Sequence, residues 1–296
     1  MIPLLIAVLL LASIALASIL YIGPRMLLMP DRRKPEFYSQ RFDFIHPSQM
    51  ELSYFERTLT TRDGYMLKYW VLDDQNHDKK RNIVIYLHGI TDSKVSGLHY
   101  ASELTRLCSK FYLIDMRRHG DSEGEYCTYG YHEKHDVVAL IDSIKQEYPD
   151  TEVTLLGVSM GAAIAIQTAA MDKRVSRVIA VAPFYDLHSI VLDHQIRRIG
   201  IKSKLLLRLV LRRAEKIANF KAADVSPAND IGKIKVPILI IRGENDKTVK
   251  RIYPERLREL SMNAELVTVP GAGHVDVLEK GGKEYLEKLS NFLKEV

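Results

Sequence analysis

The chain has 296 residues, of which 47% are hydrophobic and 27% charged, with a formal net charge of +5. These proportions exclude a disordered or collagen-like chain and leave room for one large domain plus an accessory segment. Two cysteines, Cys108 and Cys127, exclude a disulfide framework and favour a reducing compartment; neither sits in a Cys-x-x-Cys or Cys/His cluster, so no metal site is expected.

Residues Ile2 to Ile22 carry no charged side chain. About 20 residues span roughly 30 Å as a helix, enough to cross a bilayer, so residues 1–23 read as a transmembrane anchor. A cleaved signal peptide, with secretion of the domain, is the alternative, because Ala15-Leu16-Ala17 resembles a small-x-small cleavage site. No Lys or Arg precedes the apolar run, and the run is longer than a usual signal core, which favours the anchor. Arg25, Arg32, Arg33 and Lys34 follow, so the positive-inside rule places the domain on the cytoplasmic side. Residues 24–51, with Pro24, Pro30 and Pro35, read as a connector.

From residue 52 the pattern becomes that of a folded domain. Tyr54–Thr60 and Tyr65–Leu72 alternate and are rich in β formers, with Arg62-Asp63-Gly64 as a hairpin turn. A polar loop over 73–81 leads to Ile83–Leu87, an apolar run of the kind covered on both faces. Further strands are expected at 111–114, 153–156, 178–181, 237–241 and 266–269. Helices are expected at 98–107, 132–147, 162–170, 249–260 and 283–294. An antiparallel start followed by a βα series indicates an α/β fold with one doubly wound, mostly parallel sheet, whose reactive groups sit at the carboxyl ends of strands.

Gly157-Val158-Ser159-Met160-Gly161 joins an apolar strand to a helix of small residues, the pattern of a nucleophile elbow. The turn demands small residues two before and two after Ser159, and it leaves the Met160 N–H at a helix N-terminus, where negative charge is favoured. An acyl-transfer site also needs a base, an orienting acid and oxyanion donors. His274, after the last strand, is the expected base, because Ser…acid…His is the chain order of this arrangement. Asp246, after the preceding strand, is the expected acid, with Glu244 its competitor. Either acid could instead cap the next helix. The loop from His88-Gly89 places the Ile90 N–H as a second oxyanion donor beside that of Met160, and His88 is expected to hold that loop in shape. The charges of Asp115–Ser122 are expected to form a buried network shaping the floor of the site.

Four motifs agree in order and spacing with a known family: His88-Gly89, Asp115 to Ser122, the Ser159 elbow, and the Gly243–Asp246 and Gly273-His274 strand ends. Over residues 52–296 the chain resembles the α/β-hydrolase superfamily. It is similar to small bacterial membrane-anchored serine hydrolases of the prolyl-aminopeptidase-like and monoacylglycerol-lipase-like group, whose stretches also resemble Thr128-Tyr129-Gly130 with Glu133 and Asp136. That resemblance implies esterase, lipase or peptidase activity and no cofactor. The oxyanion loop lacks the His-Gly-Gly-Gly of the hormone-sensitive-lipase branch, which argues against that branch.

Between Pro183 and Val236 the strand–helix rhythm is interrupted, as by a cap. Residues 184–228 hold nine Lys/Arg and four acids, an excess of five that equals the formal charge of the whole chain. This helical cap reads either as a helix packing its leucines on the core with a solvated basic face, or as one that also meets anionic lipid or gathers an acyl substrate. The basic residues are not interleaved with aromatics, so nucleic acid is not an expected partner. The expected activity is hydrolysis of a small-molecule carboxylic ester, with an exopeptidase or amidase second and a non-catalytic binding protein third.

Overall fold

The computed structural model of the chain describes residues 2–73 and 82–294, without the side chains of residues 8, 11, 12 and 15. Apart from Asp73, the polar loop expected at 73–81 lies outside the described residues.

Eight strands form one sheet: β1 (Ser53–Thr60), β2 (Met66–Asp73), β3 (Asn82–Leu87), β4 (Lys110–Ile114), β5 (Glu152–Val158), β6 (Val175–Val181), β7 (Ile238–Gly243) and β8 (Ala264–Val269). Their order is β1-β2-β4-β3-β5-β6-β7-β8. β1 and β2 pair antiparallel, as does β2 with β4, and every later pairing is parallel. The expected doubly wound, mostly parallel sheet with an antiparallel start is the one observed.

Strand periodicity divides the apolar residues between two faces. Ile83, Ile85, Val153, Leu155, Val178 and Ile240 meet α4 (Glu133–Glu147) and α5 (Met160–Met171) on one side. Val84, Tyr86, Leu156, Ile179 and Leu239 meet α3 (Gly97–Leu104) and α10 (Val277–Lys294) on the other. Burial on both faces is why β3 is an unbroken apolar run, whereas β1 at the edge keeps exposed positions. α5 is buried almost all round, which its small side chains permit. The expected helix at 98–107 is an α-helix only to Leu104 and finishes as a 3-10 turn over Thr105–Leu107.

The insert after β6 is a helical cap, formed mainly by α6 (Leu187–Ile199) and α7 (Lys204–Ala218). Leu187, Ile190, Leu207, Leu211, Phe220 and Val225 form its core, which packs onto Ala163, Val249 and Tyr253 of the main domain.

At the N-terminus, α1 (Ile2–Leu28) is one helix of 27 residues that runs on through Pro24. Its outer side chains, among them Leu4, Leu5, Leu9 and Leu10, are exposed. Among the described residues no helix is long and apolar enough to cross a membrane, so the anchor expected at 1–23 is not a finding of the structure. The inner end of α1 is part of the domain. Leu28 is fully buried within the cap core, and Gly23 lies so close to α7 that a Cβ there would stand 3.2 Å from Val210. The stretch after it contains α2 (Pro35–Ser39) and is bonded to three loops of the domain. The Cys127 N–H donates to the Leu28 carbonyl at 2.8 Å. Arg32 donates to the carbonyls of Gly120 at 2.7 Å and Ser122 at 2.9 Å, and the Tyr38 hydroxyl donates to Asp92 at 3.1 Å.

Candidate active site

Ser159 stands between β5 and α5 at φ +55°, ψ −110°, a region that L-residues occupy only under constraint. The constraint is close packing of backbone. A Cβ on Gly157 would lie 2.2 Å from the Gly161 carbonyl oxygen, and one on Gly161 would lie 1.9 Å from that of Leu87. Only glycines let strand, helix and β3 approach in this way. The Ser159 N–H is fixed on the Val181 carbonyl at 2.7 Å, so the hydroxyl is aimed by the sheet itself.

His274 lies in the loop after β8. Its Nε2 is 3.0 Å from the Ser159 Oγ, and its Nδ1 is 2.7 Å from Asp246 Oδ2. Asp246 follows β7, and its other oxygen accepts the Thr248 and Val249 N–H groups at 2.7 and 2.9 Å. Burial alone would raise this carboxyl, but the His274 contact and the two N–H groups outweigh it and hold it below its ordinary value, ionised at neutral pH. Glu244, the competing acid, is instead a brace: it accepts the Gly271 N–H at 2.9 Å. The three residues singled out in the sequence are therefore one hydrogen-bonded chain. An ionised acid on Nδ1 fixes the imidazole tautomer that leaves Nε2 free to take a hydroxyl proton.

The loop after β3 brings its backbone alongside, and a Cβ on Gly89 would lie 3.5 Å from that of Ser159. His88 has the expected structural role. It is fully buried, its Nδ1 bonds the Gly89 carbonyl at 2.8 Å, and its Nε2 accepts the Met116 N–H at 2.9 Å. Met160, the other expected donor, opens α5 with its side chain buried against Cys127, sulfur to sulfur at 3.4 Å.

The floor is the charged network expected from Asp115–Ser122. Lys94 is 3% exposed, and its ammonium bridges Asp115 at 2.5 Å and Asp121 at 2.6 Å. Arg117 grips Asp136 through two bonds of 2.7 Å and also reaches Asp63. Glu133 accepts the Thr128 and Gly130 N–H groups, each at 2.7 Å. The buried pairs are matched in charge and bonded on several sides, as ions removed from water must be.

Sequence reasoning passed over two contributors. His194, a histidine that follows no strand, comes on α6 within electrostatic range of His274. Burial first, then Arg197 and Arg198, pull it down to about 4, so it is neutral at pH 7. Lys94 gave no signal, because a lysine in a polar loop ordinarily reads as solvated; only the later Asp115 and Asp121 show why it is buried. α6 is itself fastened beside Asp246: Asp193 accepts from Lys250 at 2.5 Å and Tyr253 at 2.6 Å, and Arg197 donates to the Lys247 carbonyl at 2.9 Å. Among the described residues no group of His, Cys, Asp and Glu is arranged to hold a metal ion.

An elbow serine over a doubly wound sheet, joined to a histidine and an acid from the last two strand ends, defines an α/β-hydrolase. The profile of the Hydrolase_4 family (Serine aminopeptidase, S33) matches residues 78–225, half of the chain, and the protein belongs to this family of the α/β-hydrolase superfamily. It is similar to the uncharacterized protein YqkD of Bacillus subtilis, with 26% identity over 249 residues, covering 83% of this chain and 80% of that protein. Human protein ABHD12B is 26% identical over 193 residues, 62% of this chain and half of its own length. Among solved structures, the Pyrococcus furiosus esterase Pf2001 superposes with a TM-score of 0.71 at 24% identity, covering 90% of this chain and 97% of its own, a likeness of fold.

Proposed function

We propose that the protein is a serine hydrolase that cleaves carboxylic esters through an acyl-enzyme. The observation carrying this reading is the unbroken hydrogen-bonded chain from Asp246 through His274 to Ser159. His274 takes the Ser159 proton as Oγ attacks the ester carbonyl. The N–H groups of Ile90 and Met160 hold the oxyanion, and His274 returns the proton to the leaving alcohol. Water, deprotonated by His274, then attacks the acyl-serine, releases the acid and restores Ser159. Asp246 orients the imidazole and stabilises its charged form.

The family's description as serine aminopeptidase favours a peptidase or amidase as the second reading. Two features weigh towards esters. The cap carries nine Lys/Arg against four acids, a field that repels the ammonium of a peptide N-terminus, attracts anionic substrates and does not oppose neutral ones. Asp193, a cap carboxylate that could receive an amine, has both oxygens engaged.

The reading also takes residues 1–23 as a single-pass anchor, although no helix among the described residues is long and apolar enough to cross a membrane. It is supported by the absence of charge from Ile2 to Ile22 and by the exposed leucines and isoleucines of the outer turns. The basic cap then lies where it can meet anionic lipid. Of the four cations assigned to orientation, Arg32 is engaged with domain carbonyls and Arg33 lies 4.0 Å from Asp92. The cytoplasmic placement therefore draws on Arg25 and Lys34 chiefly.

A fluorophosphonate probe tests the chemistry. Labelling of the wild type and not of Ser159→Ala is expected; equal labelling of both sinks the hydrolase reading. Nitrophenyl esters of rising chain length, set beside aminoacyl nitroanilides, rank esterase against peptidase. Retention in membranes through an alkaline carbonate wash tests the anchor, and a soluble product beginning near Ser18 would establish signal cleavage instead.

A further inference from the structure

The Ile90 N–H is presented by a turn that cannot hold itself. The Asp92 N–H donates to the Gly89 carbonyl at 3.2 Å, closing a four-residue turn with Ile90 and Thr91 at its corners. The first corner residue has no partner for its N–H within such a turn, so Ile90 can offer a donor outwards. Thr91 takes the second corner at φ +62°. A β-branched residue in the left-handed region costs about 1–3 kcal/mol and persists only where its surroundings over-determine it.

The turn is secured from two sides. On the inner side, His88 is bonded to Met116, and Asp115 takes both the Lys94 N–H at 2.6 Å and its ammonium. On the outer side, Asp92 accepts the Ser93 N–H at 2.9 Å and the Tyr38 hydroxyl at 3.1 Å. Tyr38 is only 3% exposed, so water does not replace that bond readily. Burial, and then the Asp92 charge, raise its phenol well above the ordinary value, which keeps it protonated and donating. The segment carrying Tyr38 is pinned in turn, through Leu27, Leu28 and Arg32, to the loops at Tyr129, Cys127, Gly120 and Ser122.

We propose that residues 28–38 form a strap that aims the oxyanion turn, with Tyr38 as a positioning residue acting through Asp92 on the Ile90 N–H. Tyr38 touches neither Ser159 nor any reacting atom. Its work is to keep the strained turn in register, so it serves the transition state and not the binding of substrate. The inference rests on the hydrolase reading, and it makes the stretch next to α1 part of the catalytic apparatus instead of a passive connector.

The test uses the purified full-length chain and a nitrophenyl ester. Tyr38→Phe removes one hydroxyl. Complete loss of an oxyanion donor costs about 100- to 1,000-fold, so a loosened one is expected to lower kcat about tenfold, with KM within about twofold and little change in Tm. Asp92→Ala should give at least that fall, and the double variant should be no worse than Asp92→Ala alone, since that substitution already removes the Tyr38 tie. Glu36→Gln, exposed on the same segment, is the control. Thr91→Gly removes the strain, so in that background the Tyr38→Phe penalty should shrink to about twofold or less. Three outcomes overturn the strap's role: kcat of Tyr38→Phe equal to wild type, a penalty undiminished by Thr91→Gly, or a rise in KM with kcat intact. A wild type lacking Ser159-dependent labelling overturns the hydrolase reading and this one with it. A wild type that labels beside an unaffected Tyr38→Phe overturns this one alone.

Discussion

Gly243 and Gly273 touch backbone to backbone. A Cβ on Gly243 would lie 2.0 Å from the Gly273 carbonyl oxygen, and next to this contact the Asn245 N–H donates to the Ala272 carbonyl at 2.7 Å. The loops bearing Asp246 and His274 are thus one unit, and their separation is set by the absence of a single methyl group. Gly243→Ala must push them apart. Its expected effect is a fall in kcat of about 100-fold, the scale associated with displacing a catalytic group by about 1 Å. Thermal melting beside ester kinetics checks it: a folded variant with wild-type kcat would show that the loops can separate without harm.

Asp246→Asn keeps the shape of the chain and reverses its logic. An amide can present an N–H to Nδ1, which favours the tautomer whose Nε2 carries a proton and cannot accept one from Ser159. A loss of about 10,000-fold in kcat is expected, with KM little changed. Glu244→Gln should fall far short of that, because Glu244 bonds a backbone N–H and not His274. Steady-state kinetics of the two variants side by side decide which acid serves the histidine.

Ser159 pays for its aim in backbone strain. Glycine adopts φ +55° without penalty, so Ser159→Gly should abolish probe labelling while stabilising the fold by about 1 kcal/mol. For a chain of this size that is a rise in Tm of roughly 1.5–2 °C. Ser159→Ala, which keeps the Cβ, should show no such gain, and calorimetry on the pair separates relief of strain from mere loss of the hydroxyl.

Two buried histidines should make stability fall with acid. Burial, and then neighbouring His88, bring His119 down to about 3, and His88 is lowered by its own burial. Their rings lie 4.9 Å apart, so two imidazoliums there would repel. The unfolded chain binds protons at these histidines near pH 6.5, while the folded chain refuses them. Their contribution is complete above about pH 6.5 and is lost as pH falls; for His119 the loss is about 1–2 kcal/mol at pH 5. Urea midpoints at pH 7 and pH 5 measure the loss, and His119→Gln should flatten the slope between them.

The fold was legible because burial on two faces writes itself into sequence. Ile83–Leu87 could only be a covered strand, and 132–147 an amphipathic helix. The core of the site was legible for the same reason: each of its groups follows a strand, and Ser159, Asp246 and His274 come in order. What escaped has a different physical basis. Tyr38 and Asp92 are 54 residues apart, and a single polar contact at that range leaves no periodicity. Lys94 becomes intelligible only beside Asp115, 21 residues on, and His194 only once the cap is folded. In the first residues, apolarity announced a helix but could not show that its last turn, with Leu28, belongs to the core of the cap.

That last turn sets how freely α1 and the domain can move relative to one another. A flexible tether of about 15 residues would let the domain wander over roughly 20 Å. With Gly23 against Val210, Leu28 buried and Arg32 bonded to two carbonyls, there is no slack of that kind. The domain and the inner end of α1 therefore turn as one body, and any restraint on that helix is a restraint on the orientation of the whole domain.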